Sequence, residues 1–186
     1  MKKLLPTGVE IKLNPKKYIV SKTDIDGNII YANDYFTEIS GYSESELIGS
    51  PHNILRHPDM PKVIFKLMWH SIQNSKNIKA VVKNLAKDGR HYWIITDFDI
   101  QKDSSGNIQN YIAYRQVASK NIIKDIEPLY KKLLDIESKY GYSESEKYLT
   151  EFLERRDMSY SQFIEDLAKK KGFSSILFNS MKKLLS

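Results

Sequence analysis

The residues with the most evident chemistry in this sequence lie in segment 51–61, PHNILRHPDMP. Its three prolines fix the backbone and remove hydrogen-bond donors, so we predict a rigid loop here and not a core helix. The loop presents Arg56, His57 and Asp59, whose guanidinium, imidazole and carboxylate groups can bind the polar parts of a ligand. An apolar helix containing Trp69 is predicted to follow directly. This arrangement indicates a pocket for a small molecule.

Turn signals place the loop within a succession of strands. Asp26-Gly27-Asn28, Asp88-Gly89 and Ser105-Gly106-Asn107 each separate two strand-like segments, and each predicts a hairpin. Two strands therefore precede the loop, and three longer strands follow it as a meander.

The part of the chain between the second and third strands, residues 33–76, is predicted to be helical in pieces. Ser43 and Glu46 have the spacing of a capping box, and residues 60–72 place their apolar side chains on one helical face. An antiparallel sheet with its helices on one face defines an α+β domain. A ligand pocket between the sheet and the helical part would be the natural site.

The composition limits the classes of function. The 186 residues are 41% hydrophobic and 28% charged, which is typical of a soluble globular protein. The absence of cysteine excludes disulfides, thiolate metal sites and cysteine nucleophiles. The N-terminus lacks a signal-peptide pattern and no stretch approaches the roughly 18 apolar residues of a membrane span, so we expect a cytoplasmic protein. Phosphate-loop and nucleophile-elbow motifs are lacking too, so we do not expect enzymatic activity. A metal site needs at least three convergent ligands, which four histidines without any cysteine hardly support, so we expect no metal site.

Several short stretches along the first two thirds of the chain match the sequence motifs of one known family. These stretches are Asp24 to Asp34, Ser40-Gly41-Tyr42, Glu46 to Gly49, the loop 51–61, Met68-Trp69, Val82 to Asn84, Lys87 to Gly89 and Tyr92-Trp93. Residues 18–119 thereby resemble a PAS domain, and specifically the flavin-binding PAS domains of bacterial aerotaxis receptors. The Arg-His-Pro-Asp-Met-Pro string carries most of that specificity.

The resemblance implies a PAS fold, with a five-stranded antiparallel sheet, and a non-covalently bound FAD between the sheet and the helices. Carried over residue by residue, it implies a set of contacts to the cofactor. These are Asn33, Arg56, His57, Asp59, Trp69 and Asn84. It also implies a redox signal, because the light-sensing LOV relatives need a thiol that this sequence does not contain.

Each implied contact has a structural alternative. Asn33 could serve as a helix N-cap. Arg56 and Asp59 could form an ion pair that stabilises the loop without a ligand, and Trp69 could be a core residue. A haem remains open as a different cofactor, with His70 on the long helix as its ligand.

We predict that residues 1–17 form an N-terminal arm, residues 18–119 the sensor domain, and residues 120–186 a helical C-terminal region. In that region an apolar series steps by four and three residues, as in a heptad repeat. Its members are Ile122, Ile126, Leu129, Leu133 and Ile136. We predict that this helix begins near Asp125, because Pro128 would then fall in the first turn, and that it ends at Gly141. Further helices are predicted to begin at Ser143, at Ser159 and before Ile176.

The resemblance suggests a redox or energy sensor that signals to a separate, membrane-bound chemotaxis transducer. The C-terminal region would then provide a docking surface or a homodimer interface. The alternative is a ligand-responsive transcription factor, because residues 168–174 have the character of a helix-turn-helix. The helix that would read the bases, residues 176–181, is too apolar for that role. The net charge of +6 is not concentrated in either part of the chain, so we do not expect nucleic-acid binding.

Overall fold

The computed structural model describes residues 5–170, and at its centre is one antiparallel sheet of five strands. Their spatial order is β2-β1-β5-β4-β3. The strands are β1 Ile19–Thr23, β2 Ile29–Ala32, β3 Ala80–Leu85, β4 His91–Lys102 and β5 Ile108–Val117. This confirms the predicted α+β class and the five-stranded antiparallel sheet that the resemblance implied.

Six α-helices and one short 3-10 helix surround the sheet within the described residues. The α-helices are α1 Asp34–Ser40, α2 Glu44–Leu47, α3 Lys62–Gln73, α4 Lys120–Tyr140, α5 Tyr142–Glu154 and α6 Tyr160–Lys170. The 3-10 helix, His52–Leu55, lies within the proline-framed loop. Helices α1 to α3 and this loop pack against one face of the sheet, which we call the inner face. The predicted capping box of Ser43 and Glu46 is present at the start of α2.

The three predicted hairpins are confirmed, and two of them use the same turn. The Asp24 carboxylate accepts hydrogen bonds from the backbone N–H of Asp26 and of Asn28. Asp103 accepts the equivalent bonds from Ser105 and Asn107. Each turn ends with a glycine at positive φ before the asparagine, a conformation that a side chain would strain.

The outer face of the sheet is covered in part by the C-terminal helices. The Tyr130 ring on α4 stacks on Trp93 of β4, with ring centroids 6.3 Å apart. The Tyr130 hydroxyl donates to the Val81 carbonyl on β3 at 2.6 Å and also hydrogen-bonds the Tyr160 hydroxyl on α6. These contacts make α4 and α6 part of the same folded unit as the sheet.

The predicted start of α4 was wrong. The helix begins at Lys120, with the Ser119 hydroxyl capping the Ile122 N–H, so Pro128 lies inside it and not in its first turn. Pro128 is exposed, and the buried residues on both sides of it provide the packing that offsets the lost hydrogen bond. The predicted C-terminal stop at Gly141 is confirmed.

The predicted start of α5 was also wrong by one residue. The helix begins at Tyr142, and Ser143 lies within it without capping it. Ser145 is fully buried and donates to the Leu133 carbonyl of α4 at 3.2 Å. Tertiary packing therefore sets this boundary. By contrast, the helix predicted at Ser159 is present as α6, and Ser159 and Gln162 form reciprocal hydrogen bonds at its start.

The apolar series of α4, which suggested a heptad repeat, is buried within the chain. All five of its members belong to buried positions of the helix. The proposed helix-turn-helix and the last predicted helix fall mostly outside the described residues. Between residues 5 and 170, no helix is both long enough and apolar enough to cross a membrane.

Candidate functional site

A cavity of about 270 Å³ lies between the inner face of the sheet and the helices. Its volume is just below the roughly 300–1,000 Å³ of common ligand pockets. The sheet side consists of Thr23, Val82, Asn84, Thr96, Phe98, Tyr111, Ala113 and Arg115. The helical side includes Leu55, Arg56, Phe65, Met68, Trp69 and Ile72. The lining is thus mainly apolar, with a few polar groups at defined points.

Arg115 is the most unusual of these polar groups, because it is a buried cation. Only 5% of the surface of this residue is exposed to solvent. Nη1 donates to the Ser21 hydroxyl at 2.9 Å, and Nη2 donates to Nε2 of His52 at 2.8 Å. Burial lowers the pKa of Arg115 to about 10, so the guanidinium is still charged at neutral pH. Within residues 5–170, no carboxylate forms an ion pair with it.

His52 serves Arg115 as a neutral acceptor. Burial, followed by the charge of Arg115, lowers the pKa of His52 to about 3. The imidazole also stacks on Phe36, with ring centroids 5.9 Å apart. Neutral partners such as this one leave the positive charge of Arg115 uncompensated beside the cavity, and a buried uncompensated charge is costly.

Asn84 and Thr96 supply neutral polar groups on the sheet side. Both residues are buried, at 5% and 1% exposure. Among the described residues, the Thr96 hydroxyl has no hydrogen-bond partner. The Asn84 side chain faces the Tyr92 hydroxyl, whose pKa is raised to about 12, chiefly by burial. A buried hydroxyl without a partner is uncommon in a folded protein, and a ligand in the cavity could provide that partner.

The proline-framed loop is attached to the sheet beside Asn84. A β-bridge pairs the backbone of Arg56 with that of Asn84. The Arg56 guanidinium lies 4.6 Å from the centroid of the Phe65 ring on α3, and partial burial lowers its pKa. Arg56 lines the cavity, with its backbone held by the bridge to Asn84 and its guanidinium against Phe65 of α3.

Trp69 lies at the cavity wall, against the first hairpin turn. Its ring packs edge-on against Tyr111, with centroids 5.7 Å apart. A Cβ added at Gly27 would come within 2.5 Å of this ring. Gly27 thus has two reasons to be glycine, its φ of 88° and the close approach of Trp69.

This close approach gives a matched pair of substitutions. Gly27→Ala and Gly106→Ala both place a side chain at positive φ in the same kind of turn, which costs about 1–2 kcal/mol. Only Gly27→Ala also displaces Trp69, because nothing lies within 4 Å of a Cβ at Gly106. We expect a larger loss of unfolding free energy for Gly27→Ala, together with altered tryptophan emission, in urea titrations followed by fluorescence. Equal losses for the two variants would contradict the packing described here.

The structure brings three of the six predicted site residues to the cavity, namely Arg56, Trp69 and Asn84. Asn33 instead lies at the start of α1. Its side-chain oxygen accepts from the Phe36 and Val20 N–H groups, and its amide nitrogen donates to the Tyr18 carbonyl. The alternative reading of Asn33 as a helix N-cap is therefore confirmed.

His57 and Asp59 lie outside the cavity lining, next to Lys83 on the outer face of β3. Asp59 forms an ion pair with Lys83 at 2.7 Å, so the alternative of an Arg56–Asp59 ion pair was wrong. His57 is 2% exposed, and its Nδ1 accepts from the Asp59 N–H. Burial and the charge of Lys83 lower the pKa of His57 to about 4, so it is neutral at physiological pH.

His70, the residue considered as a haem ligand, is exposed near the end of α3 and does not line the cavity. The sequence analysis missed Arg115, His52 and Thr96 as cavity residues. One signal could have identified Arg115. In the strand-like segment that follows the turn Ser105-Gly106-Asn107, it shares the face of Tyr111 and Ala113, so alternation directs a charged side chain to the inner face.

Comparison with known proteins agrees with this geometry. Residues 29–115 match the family described as the PAS fold. The chain is 41% identical over 115 residues to the aerotaxis receptor of Escherichia coli K12, which covers 62% of this chain and 22% of the receptor. It is 29% identical over 104 residues to the bacterioopsin transcriptional activator of Halobacterium salinarum, covering 56% of this chain and 15% of that protein. The chain thus spans about a fifth or less of these relatives.

The similarity extends to a solved structure. The light-state structure of the blue-light photoreceptor Aureochrome1 LOV superposes with a TM-score of 0.53 at 25% identity, covering 64% of this chain and 90% of that one. The family match and the solved structure agree with the five-stranded sheet described above. Residues 29–115 therefore have the PAS fold.

Proposed function

We propose that this PAS domain binds FAD non-covalently in the cavity and reports the redox state of the cofactor to a separate chemotaxis transducer. The observation that carries the proposal is the uncompensated cation Arg115 in a mainly apolar cavity. The similarity to an aerotaxis receptor supports it further. We propose a sensor and not an enzyme, acting in the cytoplasm.

The residues of the cavity suit a flavin ring. The apolar side chains of the lining fit its hydrocarbon part, and Asn84 and Thr96 offer hydrogen bonds to its polar edge. The cavity volume suits a ring system of this size but is too small for a whole dinucleotide. The rest of the cofactor would therefore have to lie beyond the enclosed part.

A bound flavin would supply reversible electron-transfer chemistry. The contribution of the chain is electrostatic and positional. Arg115 holds a positive charge in a shielded cavity, where it favours the more negatively charged state of any ligand. Asn84 can both donate and accept, so it can follow a change of protonation at a ligand atom.

Strand β3 connects the cavity with the C-terminal helices. Asn84 and Val82 face the cavity, whereas the Val81 carbonyl accepts a hydrogen bond from Tyr130 of α4. We propose that β3 transmits the cofactor state to these helices and that an exposed surface of the C-terminal region binds the transducer or a second copy of the chain. The apolar face of α4 is not that surface, because it is buried.

The identity of the cofactor tests the proposal. We would denature the purified protein in acid and separate the released compound by chromatography against FAD, FMN and haem standards. FAD in near-stoichiometric amount is expected. FMN, haem or the absence of a chromophore, even after incubation with free FAD, would overturn the proposed cofactor.

A further inference from the structure

The N-terminus of α3 is capped by a residue from the C-terminal region. The N-cap position of this helix is Pro61, which makes no side-chain capping bond. The Glu137 carboxylate of α4 takes over that role, and its two oxygens accept from the Lys62 N–H at 3.0 Å and the Val63 N–H at 2.9 Å. A carboxylate at this point satisfies two orphan donors and complements the helix dipole.

Two further contacts join the same region to α3 and the loop. The Lys66 ammonium lies 4.1 Å from the centroid of the Tyr142 ring, the first residue of α5. The charge of Glu137 also acts on Arg56, where it opposes the lowering of the Arg56 pKa by burial. The corner between α4 and α5 is therefore linked to one charged cavity residue and to the first two turns of the cavity helix.

Helix α3 forms much of the helical side of the cavity. Phe65, Met68, Trp69 and Ile72 all line the cavity from this helix. Any group that fixes the start of α3 consequently fixes these side chains as well. The contact from Glu137 spans more than 70 residues of sequence, so it links the C-terminal region to the cavity without passing through the sheet.

We propose that Glu137 is a positioning residue that couples the cavity to the corner between α4 and α5. In this arrangement, the cap orders α3 in the conformation that binds the ligand, and the ligand in turn strengthens the cap. Such coupling is reciprocal. If the cap strengthens ligand binding by a given factor, ligand binding must strengthen the cap by the same factor. The ligand part of this inference rests on the proposed binding of FAD.

The test compares Glu137→Ala and Glu137→Gln with a control from α5, Glu151→Gln. Glu151 pairs with Arg155 one turn further along its own helix, so the control removes a similar charge away from the cavity. The readouts are the FAD dissociation constant and amide hydrogen exchange by NMR. Exchange is measured at Lys62 and Val63, with Ile94 in β4 as the internal reference for global stability.

We expect Glu137→Ala to weaken FAD binding by about tenfold, within the usual range of coupling between sites. It should accelerate exchange at Lys62 and Val63 relative to Ile94. Glu137→Gln keeps one acceptor oxygen and should give an intermediate result, and Glu151→Gln should match the wild type. In the wild type, FAD should slow exchange at Lys62 and Val63.

Equal FAD affinity and equal exchange in Glu137→Ala and Glu151→Gln would overturn the inference. So would a uniform acceleration that includes Ile94, since that would show a general loss of stability. A failure of the proposed function would give a different result from a failure of this inference. If the wild type binds no FAD, the cofactor proposal fails and with it the reciprocal coupling to FAD, whereas exchange at Lys62 and Val63 still decides whether Glu137 positions α3.

Discussion

Replacing Arg115 with methionine is expected to weaken FAD binding by about 10- to 150-fold. Hydrogen bonds that involve a charged group contribute about 1.5–3 kcal/mol, and each 1.4 kcal/mol corresponds to a tenfold change in affinity. Arg115 lines the cavity and has only neutral partners among the described residues, Ser21, His52 and the Ala113 carbonyl. A bound FAD would therefore compensate the positive charge of Arg115, and this interaction is lost in the variant.

The same substitution should have a much smaller effect on the cofactor-free protein. Removing the cation takes away the hydrogen bonds that the guanidinium donates to Ser21 and His52, which destabilises the fold. It also removes an uncompensated buried charge, which stabilises the fold, so the two effects oppose each other. Equilibrium FAD titrations and urea denaturation of the cofactor-free variant would separate binding from stability.

Arg90→Met provides the control for Arg115→Met. Arg90 is about half-exposed and pairs with Asp88 at 2.6 Å, away from the cavity lining. It should leave FAD affinity unchanged. If Arg115→Met bound FAD as tightly as Arg90→Met, the guanidinium would have no role in the cavity.

The second large effect is expected for Ile126→Ala in α4. Ile126 is completely buried, and removing a large aliphatic side chain from a packed core costs about 2–5 kcal/mol. Ile123 lies on the same helix but is only partly buried, so Ile123→Ala should cost distinctly less. Urea denaturation followed by circular dichroism would measure both.

This pair of variants tests whether the C-terminal helices share the core of the sheet. A shared core predicts one cooperative transition in the wild type and in both variants. Small and equal losses for the two variants, or a separate early transition for the helices, would mean that α4 docks only weakly on the sheet.

The fold was largely predictable because its signals are local. The three hairpins depend on Asp, Asn and Gly residues within each turn, and the capping box of α2 depends on two residues three apart. The hexapeptide GYSESE shows the limit of such signals, since it occurs at residues 41–46 and again at 141–146. In the first copy Ser43 caps a helix, whereas in the second the helix already includes Ser143, because Ser145 is buried against α4.

The cavity was less predictable because its polar groups meet across long stretches of sequence. Arg115 and His52 lie 63 residues apart and become neighbours only when β5 and the 3-10 helix pack together. The loop itself was correctly identified as an unusual, proline-framed segment. The direction of its side chains depends on the bridge to Asn84, which directs Arg56 to the cavity and leaves His57 and Asp59 beside Lys83.

The most direct test of a redox-sensing flavin in this cavity is a visible spectrum of the purified protein during stepwise reduction and reoxidation. We predict the two absorption bands of a protein-bound flavin near neutral pH, which bleach on reduction and return fully on reoxidation. The Arg115→Met protein should show these bands at strongly reduced intensity. A Soret band, or a protein that remains colourless in the presence of FAD, would contradict the proposed function.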